Sequence, residues 1–391
     1  MLESGLEHFL SAHENILRGR RVGLVTHAAA VTRALVTSVD ALRQARVRVT
    51  ALFGPEHGFD GAGADAVAID DARDARSGLP VYSLYGKTKE PNADMLRQVD
   101  VLVFDMQDVG ARFYTFISTL AFILRAAEKF AKPVIVLDRP NPINGIHIEG
   151  PSVDAGFESF ISYIPTPIRH GLTPGELARF MANTLYRNVE LQIISLRGWE
   201  RRMWFDETGL PWIPLSPGMP RFETTLAYPG TCLLEGTNIS EGRGTALPFE
   251  ICGAPWLDGY ALAQTLNQLN LPGARFRAHA FTPTDSKHRG VKCDGVQIHI
   301  ANRNALRPVY VGLHILAACR AQNPERFEFL ATSWEGAAPH LDLLVGNARV
   351  REGLQTNAPI DDLAAEWEKS AAAFRAARAP TLLYPEITSS V

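Results

Sequence analysis

Asp100-Val-Leu-Val-Phe-Asp105-Met-Gln-Asp-Val-Gly-Ala-Arg-Phe-Tyr114 is the stretch whose reading decides the fold. Four apolar residues between two aspartates read as a short strand buried on both faces. Polar groups crowd directly behind it. The apolar run from Phe113 to Phe130 then reads as a long helix, buried on most sides. A strand that feeds through a polar turn into a buried helix is the repeating unit of a parallel sheet. The unit recurs on either side. Strands are predicted at Arg21–Thr26, Val47–Phe53, Val81–Tyr85, Pro133–Asp138 and Leu191–Leu196, with helices at Ser38–Gln44 and Thr173–Leu185. The last helix carries its own start signals: Thr173 as cap, Pro174 at its first position and Glu176 at the capping-box position. The pattern predicts an α/β fold, a doubly wound and mostly parallel sheet covered by helices.

From Arg197 the character changes. Residues 198–253 are rich in Gly, Pro, Trp and Thr with little periodicity, and read as loops or a boundary. Beyond them a helix is predicted at Asp258–Leu269, a strand at Gly295–Ile300, and helices at Val309–Gln322 and Asp361–Arg378. The expectation is a first domain over residues 1–228 and a smaller α/β (α+β) domain over 229–391, packed closely because no flexible linker separates them.

The chain has 391 residues, 46% hydrophobic and 21% charged, enough to bury an ordinary core. With 39 Lys plus Arg against 42 Asp plus Glu, the net charge is -3. That balance disfavours a nucleic-acid partner, which would need phosphate neutralisation, and leaves no polybasic membrane anchor. The start, Met-Leu-Glu-Ser-Gly-Leu-Glu-His-Phe-Leu, has no basic segment or long apolar run, so a signal peptide is not expected. Cys232, Cys252, Cys293 and Cys319 form no C-x-x-C pair and are expected as buried free thiols. A cytoplasmic location follows as the expectation.

In a doubly wound sheet the ligand crevice lies outside the carboxyl ends of the strands, so the residues that follow each strand matter most. Behind the second strand stands Phe53-Gly-Pro-Glu-His-Gly-Phe59, which delivers Glu56 and His57 on a stiff turn as acid–base candidates. Behind the fourth stand Asp105, Gln107, Asp108, Arg112 and Tyr114. Asp108 alone also fits a helix N-terminus with Arg112 as its partner. Behind the fifth, Leu137-Asp-Arg-Pro-Asn-Pro-Ile-Asn-Gly145 places Asp138, Arg139 and Asn141 on a rigid polar loop that suits sugar hydroxyls. Tyr85, the Arg169-His170 pair and the loop Glu235-Gly-Thr-Asn-Ile-Ser-Glu-Gly-Arg-Gly-Thr245, with Asn238, Glu241 and Arg243, add further polar groups. No G-x-G-x-x-G follows the first strand and no Walker loop is present, so no nucleotide cofactor is expected. His57, Asp105, Asp108 and His170 have no metal-ligand spacing, and no metal is expected.

These strings, with Leu79-Pro-Val-Tyr-Ser-Leu-Tyr-Gly86, Arg169-His-Gly-Leu-Thr173 and Leu382-Leu-Tyr384, resemble the exo-β-N-acetylmuramidases of the NamZ type across nearly the whole chain. The resemblance implies a Rossmann-like catalytic domain, a smaller auxiliary domain closing the cleft, and a glycoside hydrolase that removes N-acetylmuramic acid from the non-reducing end of peptidoglycan fragments. The substrate is then a muropeptide or the MurNAc-GlcNAc disaccharide. The family's catalytic Glu, in its P-E-H string, maps onto Glu56. Two departures stand out: Thr26-His27 where the family often has Thr-Asn, and Ser216-Pro-Gly-Met-Pro220 where it often has Ser-Pro-Asn-Met-Pro.

Glycoside hydrolysis needs an acid for the leaving oxygen and a group that stabilises the oxocarbenium-like centre. Asp105, Asp108 and Glu241 are the candidates for the second role, beside a carboxylate-activated water or the substrate's own acetamido oxygen. Arg112, Arg139, Arg169 and Arg243 are the candidates for a fork on the lactyl carboxylate. The alternative is a non-catalytic binding protein for muropeptides or other anionic amino sugars, using the same polar crevice without chemistry.

Overall fold

The computed structural model describes residues 2–64, 66–333, 336 and 338–386. Its main sheet has seven strands: β1 (Arg21–Thr26), β2 (Arg48–Gly54), β3 (Ala72–Arg73), β4 (Pro80–Ser83), β5 (Val101–Asp105), β6 (Val134–Leu137) and β7 (Leu191–Ile194). They lie in the order β3-β4-β2-β1-β5-β6-β7, all parallel except the edge pair β3-β4. Leaving β3 aside, the parallel strands run in the doubly wound order 3-2-1-4-5-6. The strand order therefore reverses between β1 and β5.

Side-chain alternation explains why helices cover both faces. Val22, Leu24, Val101 and Val103 pack on one side with Leu6 and Phe9 of α1 (Gly5–Ala12) and Leu42 of α2 (Ser38–Gln44). The residues between them, Val25, Leu102 and Phe104, point the other way. There they meet α3 (Phe116–Lys129) and α4 (Pro174–Thr184). Eleven of the 14 residues of α3 are buried, which fits a helix enclosed by neighbours on most sides. Helix α4 begins with the predicted Thr173/Glu176 capping box.

The second half carries a three-stranded antiparallel sheet, β8 (Ile251–Ala254), β10 (Cys293–Ile300) and β9 (Ala274–Phe281) in that order. Helices α5 (Phe222–Thr231), α6 (Gly259–Gln268), α7 (Pro308–Gln322), α8 (His340–Val345), α9 (Arg349–Thr356) and α10 (Ile360–Arg378) complete it. The apolar cluster on the α3 face of the main sheet continues without a break into these helices. The chain end then returns to the first half. The Tyr384 hydroxyl donates to Asp138 at 2.5 Å and accepts from the Leu196 amide at 2.8 Å. Among the described residues no helix is long and apolar enough to cross a membrane.

The edge strand β3, the strands β8 and β9 and the short helices α8 and α9 are additions to the expected elements, and two further helices depart from the expectation for a visible reason. The stretch 198–253, read as loops, contains α5, and Pro229 inside it explains the misreading, because an internal Pro normally ends a helix. Helix α1 was not predicted, although Ser4 and Glu7 close a capping box at its start.

Candidate active site

A cavity of about 1090 Å³ opens where β2 and β4 end, between the first and second halves of the chain. The first half contributes Glu56, His57, Tyr85, Phe113, Tyr114 and Thr115 to its wall. The second contributes Tyr228, Glu235, Glu241, Arg243, Phe249 and Lys287. Tyr228 sits among Phe113, Tyr114 and Phe249, with ring centroids 5.3, 6.0 and 4.7 Å away. The rings meet edge to face, at 75°, 84° and 88°, and form an apolar part of the cavity wall.

Glu56 follows the Gly54-Pro55 exit of β2 and is half-buried. Its Oε2 accepts from the Thr115 hydroxyl at 2.6 Å, and its Oε1 accepts from the Ala66 amide at 3.1 Å. The adjacent His57 is buried and sits in the left-handed region, φ 70°. Its Nδ1 donates to the Gly63 carbonyl at 2.9 Å, and the Gly63 amide donates back to the His57 carbonyl at 2.9 Å. That reciprocal pair folds the loop after Glu56 back on itself, which brings Ala66 to the carboxylate. A left-handed non-glycine residue at such a place is held there by its surroundings.

The facing wall is an ion network. Arg243 donates from Nε and Nη2 to Glu235 Oε1, at 3.0 and 2.8 Å, and lies 3.5 Å from Glu241. Lys287 Nζ donates to Glu241 at 2.9 Å and to the Leu234 and Ile239 carbonyls, each at 2.9 Å. Burial alone would raise Glu235, but Arg243, His340 and Lys287 outweigh it and hold the carboxyl well below the usual carboxylate range. The Arg243 guanidinium rests 4.8 Å over the Phe249 ring. A Cβ added at Gly218 would meet Arg243 Nη1 at 2.9 Å, so this glycine is what lets the backbone pass so close to the guanidinium.

Of the predicted site residues, Glu56, His57, Tyr85, Tyr114, Glu241 and Arg243 line the cavity. The others do not, and each has an internal task. Asp105 and Arg139 pair with each other inside the crevice between β1 and β5. The Arg112 guanidinium donates to the Pro151, Thr166, Leu344 and Val345 carbonyls and to Ser162 Oγ, which leaves no donor for a ligand carboxylate. Arg169 is buried and donates to the Ile143 carbonyl. Asp138 accepts from Thr173 Oγ1, the Gly175 amide and Tyr384, which anchors α4 and the chain end. Burial drives its carboxyl up to about 7 against those bonds. Gln107 donates to the Pro140 carbonyl, Asn141 to the Leu172 carbonyl, and Asn238 to the Arg326 carbonyl. His170 accepts from the Leu172 amide and is held neutral by burial, down at about 3.

Asp108 accepts from the Gly110 amide through Oδ2 at 2.6 Å, while its buried Oδ1 finds no partner among the described residues. Burial raises it to about 7. His27 is also buried away from the cavity wall, with Nδ1 accepting from the Ala29 amide. Burial, helped by Arg139 and His57, drives its imidazole down to about 3.

Thr115, Glu235 and Lys287 line the cavity without having been predicted. Glu235 and Thr115 stand within or beside quoted strings, but Lys287 lies in Thr284-Asp-Ser-Lys-His288, where no spacing marks it. Only the return of the β9–β10 connection to Glu241 reveals it.

The cavity's owners are recognisable by comparison. The model for the N-terminal part of exo-beta-N-acetylmuramidase NamZ matches residues 22–223, and the model for its C-terminal part matches residues 226–384. The peptidoglycan beta-N-acetylmuramidase NamZ of Bacillus subtilis (strain 168) is 43% identical over 387 residues, covering 98% of this chain and 91% of that protein. Two crystal structures of DUF1343 family proteins from Bacteroides fragilis NCTC 9343 share the fold. One has a TM-score of 0.90 at 35% identity and covers 98% of this chain and 99% of the other. The second has a TM-score of 0.78 at 27% identity, with 99% of each chain covered. With both family models matched in order and a full-length relative at this identity, the chain belongs to the NamZ family of exo-β-N-acetylmuramidases.

Proposed function

We propose that this protein is an exo-acting glycoside hydrolase that releases N-acetylmuramic acid from the non-reducing end of peptidoglycan fragments, with Glu56 as general acid. The observation that carries the reading is the placement of Glu56: on the wall of the cavity between the halves, with both carboxyl oxygens oriented by hydrogen bonds. A positioned acid is what departure of a sugar alkoxide requires. In this reading Glu56 gives its proton to the glycosidic oxygen as the C1–O bond breaks, and water then completes hydrolysis at C1. Among the three carboxylates considered for the stabilising role, Glu241 alone lines the cavity and is assigned to it. Among the four arginines considered for the lactyl group, Arg243 alone lines the cavity, so it is assigned to the lactyl carboxylate.

Residues 1–228 supply the acid in this reading, and residues 229–391 close the cleft and recognise the lactyl group. The substrate is a muropeptide or the MurNAc-GlcNAc disaccharide, taken up and processed inside the cell. The four buried free cysteines are compatible with that reducing compartment. The test is Glu56→Gln, which keeps the shape and removes the acid. On MurNAc-GlcNAc its kcat should fall by ~10²–10⁴-fold, with folding and MurNAc binding retained. More than about a tenth of wild-type kcat would remove Glu56 from the acid role.

A further inference from the structure

We infer that Thr115 is a positioning residue for the acid. Its hydroxyl holds Oε2 of Glu56 and stabilises the carboxylate that forms as the proton leaves from Oε1. The inference rests on the proposed hydrolase reading and adds to it a residue that sequence analysis did not single out.

Thr115 stands at the N-cap of α3. A threonine there normally turns its hydroxyl onto the free amides of its own first turn. Thr115 makes no such bond. Its hydroxyl points instead to Glu56, 59 residues away in sequence, at 2.6 Å. The backbone of Thr115 is itself helical, φ -65° and ψ -10°, rather than extended as in a capping residue, so its hydroxyl is left for the cavity carboxylate.

The two oxygens of Glu56 are held unequally. Oε2 takes a short bond from Thr115, which is 8% exposed and set on a helix packed into the core. Oε1 takes a longer bond, 3.1 Å, from the Ala66 amide on an exposed loop. Oε1 is therefore the oxygen free to carry and deliver the acid proton. In the step itself the Oε1–H bond breaks and the glycosidic oxygen gains that proton. The electrons of the C1–O bond stay with the leaving oxygen, and Glu56 becomes a carboxylate. A hydroxyl donating to Oε2 binds a carboxylate more strongly than a neutral acid. Its contribution therefore grows as charge develops, which lowers the barrier rather than strengthening substrate binding.

The experiment compares Thr115→Val, which keeps the shape and loses the hydroxyl, with Thr115→Ser, which keeps the hydroxyl. Two substrates are used: MurNAc-GlcNAc, and an aryl β-muraminide whose phenolate leaves without protonation. For Thr115→Val, kcat on the disaccharide should fall by ~10–100-fold, the size of one charge-assisted hydrogen bond, with KM held within ~2-fold. The loss on the aryl substrate should stay below ~3-fold, and Thr115→Ser should recover kcat to within ~3-fold of wild type. The alkaline limb of the Thr115→Val profile on the disaccharide should move to higher pH, a change that a purely structural role would not produce. Equal losses on both substrates, an unmoved profile, or a serine variant as impaired as the valine would overturn the assignment. Should Thr115→Val fail to fold, Thr115→Ala takes its place, with the same expected losses, profile shift and overturning outcomes. Wild-type protein inert on both substrates would instead overturn the hydrolase reading itself.

Discussion

Arg139 grips Asp105 through two parallel hydrogen bonds, Nε to Oδ1 at 2.6 Å and Nη2 to Oδ2 at 2.9 Å, with both side chains almost wholly buried. The pair fills the crevice between β1 and β5, the place where a doubly wound sheet commonly receives its ligand. Ser38 Oγ donates to the same carboxylate at 2.5 Å, and Arg139 Nη1 reaches the Val31 carbonyl at 2.8 Å. The switch point is thereby closed by protein, and the cavity lies to one side of it, over β2 and β4.

Asp105→Asn should therefore act on stability before activity. Removing one partner of a buried ion pair leaves the other charge uncompensated, at a cost of ~3–5 kcal/mol. Denaturant unfolding should show the unfolding free energy lowered by that amount, while the folded fraction keeps wild-type kcat on MurNAc-GlcNAc. Unchanged stability with lost turnover would return Asp105 to a catalytic role.

Asp108 predicts a pH-dependent stability difference. Burial raises its carboxyl from 3.8 in the unfolded chain to about 7 in the fold. The folded state thus holds its proton more tightly, so this group's contribution is present in full below about pH 4 and is lost as pH rises to 7. Asp108→Asn stays neutral throughout and keeps an acceptor for the Gly110 amide. The variant should gain on wild type by up to ~4 kcal/mol between pH 4 and pH 7, and no further above it. Melting curves across that range should show the gap widen with pH; a constant gap would contradict the burial argument.

Gly218 should govern discrimination through Arg243. Its φ is ordinary, so only space is at issue, and an alanine Cβ would meet Arg243 Nη1 at 2.9 Å and Phe249 Cε2 at 3.2 Å. Wild type should favour an aryl muraminide over the matching N-acetylglucosaminide by ~10²-fold, because the analogue lacks the carboxylate partner. Gly218→Ala should cut that preference to ~10-fold, chiefly through the KM of the muraminide. Equal kcat/KM for the two sugars in wild type would remove Arg243 from the lactyl role.

Chelation should leave activity intact. Asp105 is tied to Arg139, Asp108 to the Gly110 amide, and His170 to the Leu172 amide, so they do not converge with His57 on one point. Turnover lost in EDTA and restored by one divalent ion would require a different account of the chemistry.

Local patterning was sufficient for the parallel strands of the main sheet, though not for β3, β8 or β9. Apolar runs of four to seven residues broken by polar turns predicted every parallel strand to within two residues at either end, and β1 and α2 at their observed bounds. The hydrophobic periodicity that buries a strand or one face of a helix is a property of neighbours in sequence, and so it can be read there. Where a local signal misleads, as Pro229 does within α5, only packing against α7 reveals the helix. The P-E-H turn likewise announced Glu56, because Gly54-Pro55 ends a strand whatever lies beyond.

What tertiary structure alone decided is which polar residues face the cavity. Asp105, Asp138, Arg112 and Arg139 follow strands just as Glu56 does, yet their charges are paired or hydrogen-bonded inside the fold. Sequence places a carboxylate at a strand end, but a buried charge must find partners, and those partners come from distant segments. Thr115 meets Glu56 across 59 residues, Lys287 meets Glu241 across 46, and Tyr384 meets Asp138 across 246. Burial and pairing at such separations exist only once the chain has closed on itself, which is why the parallel strands were legible in the sequence and the full cavity wall was not.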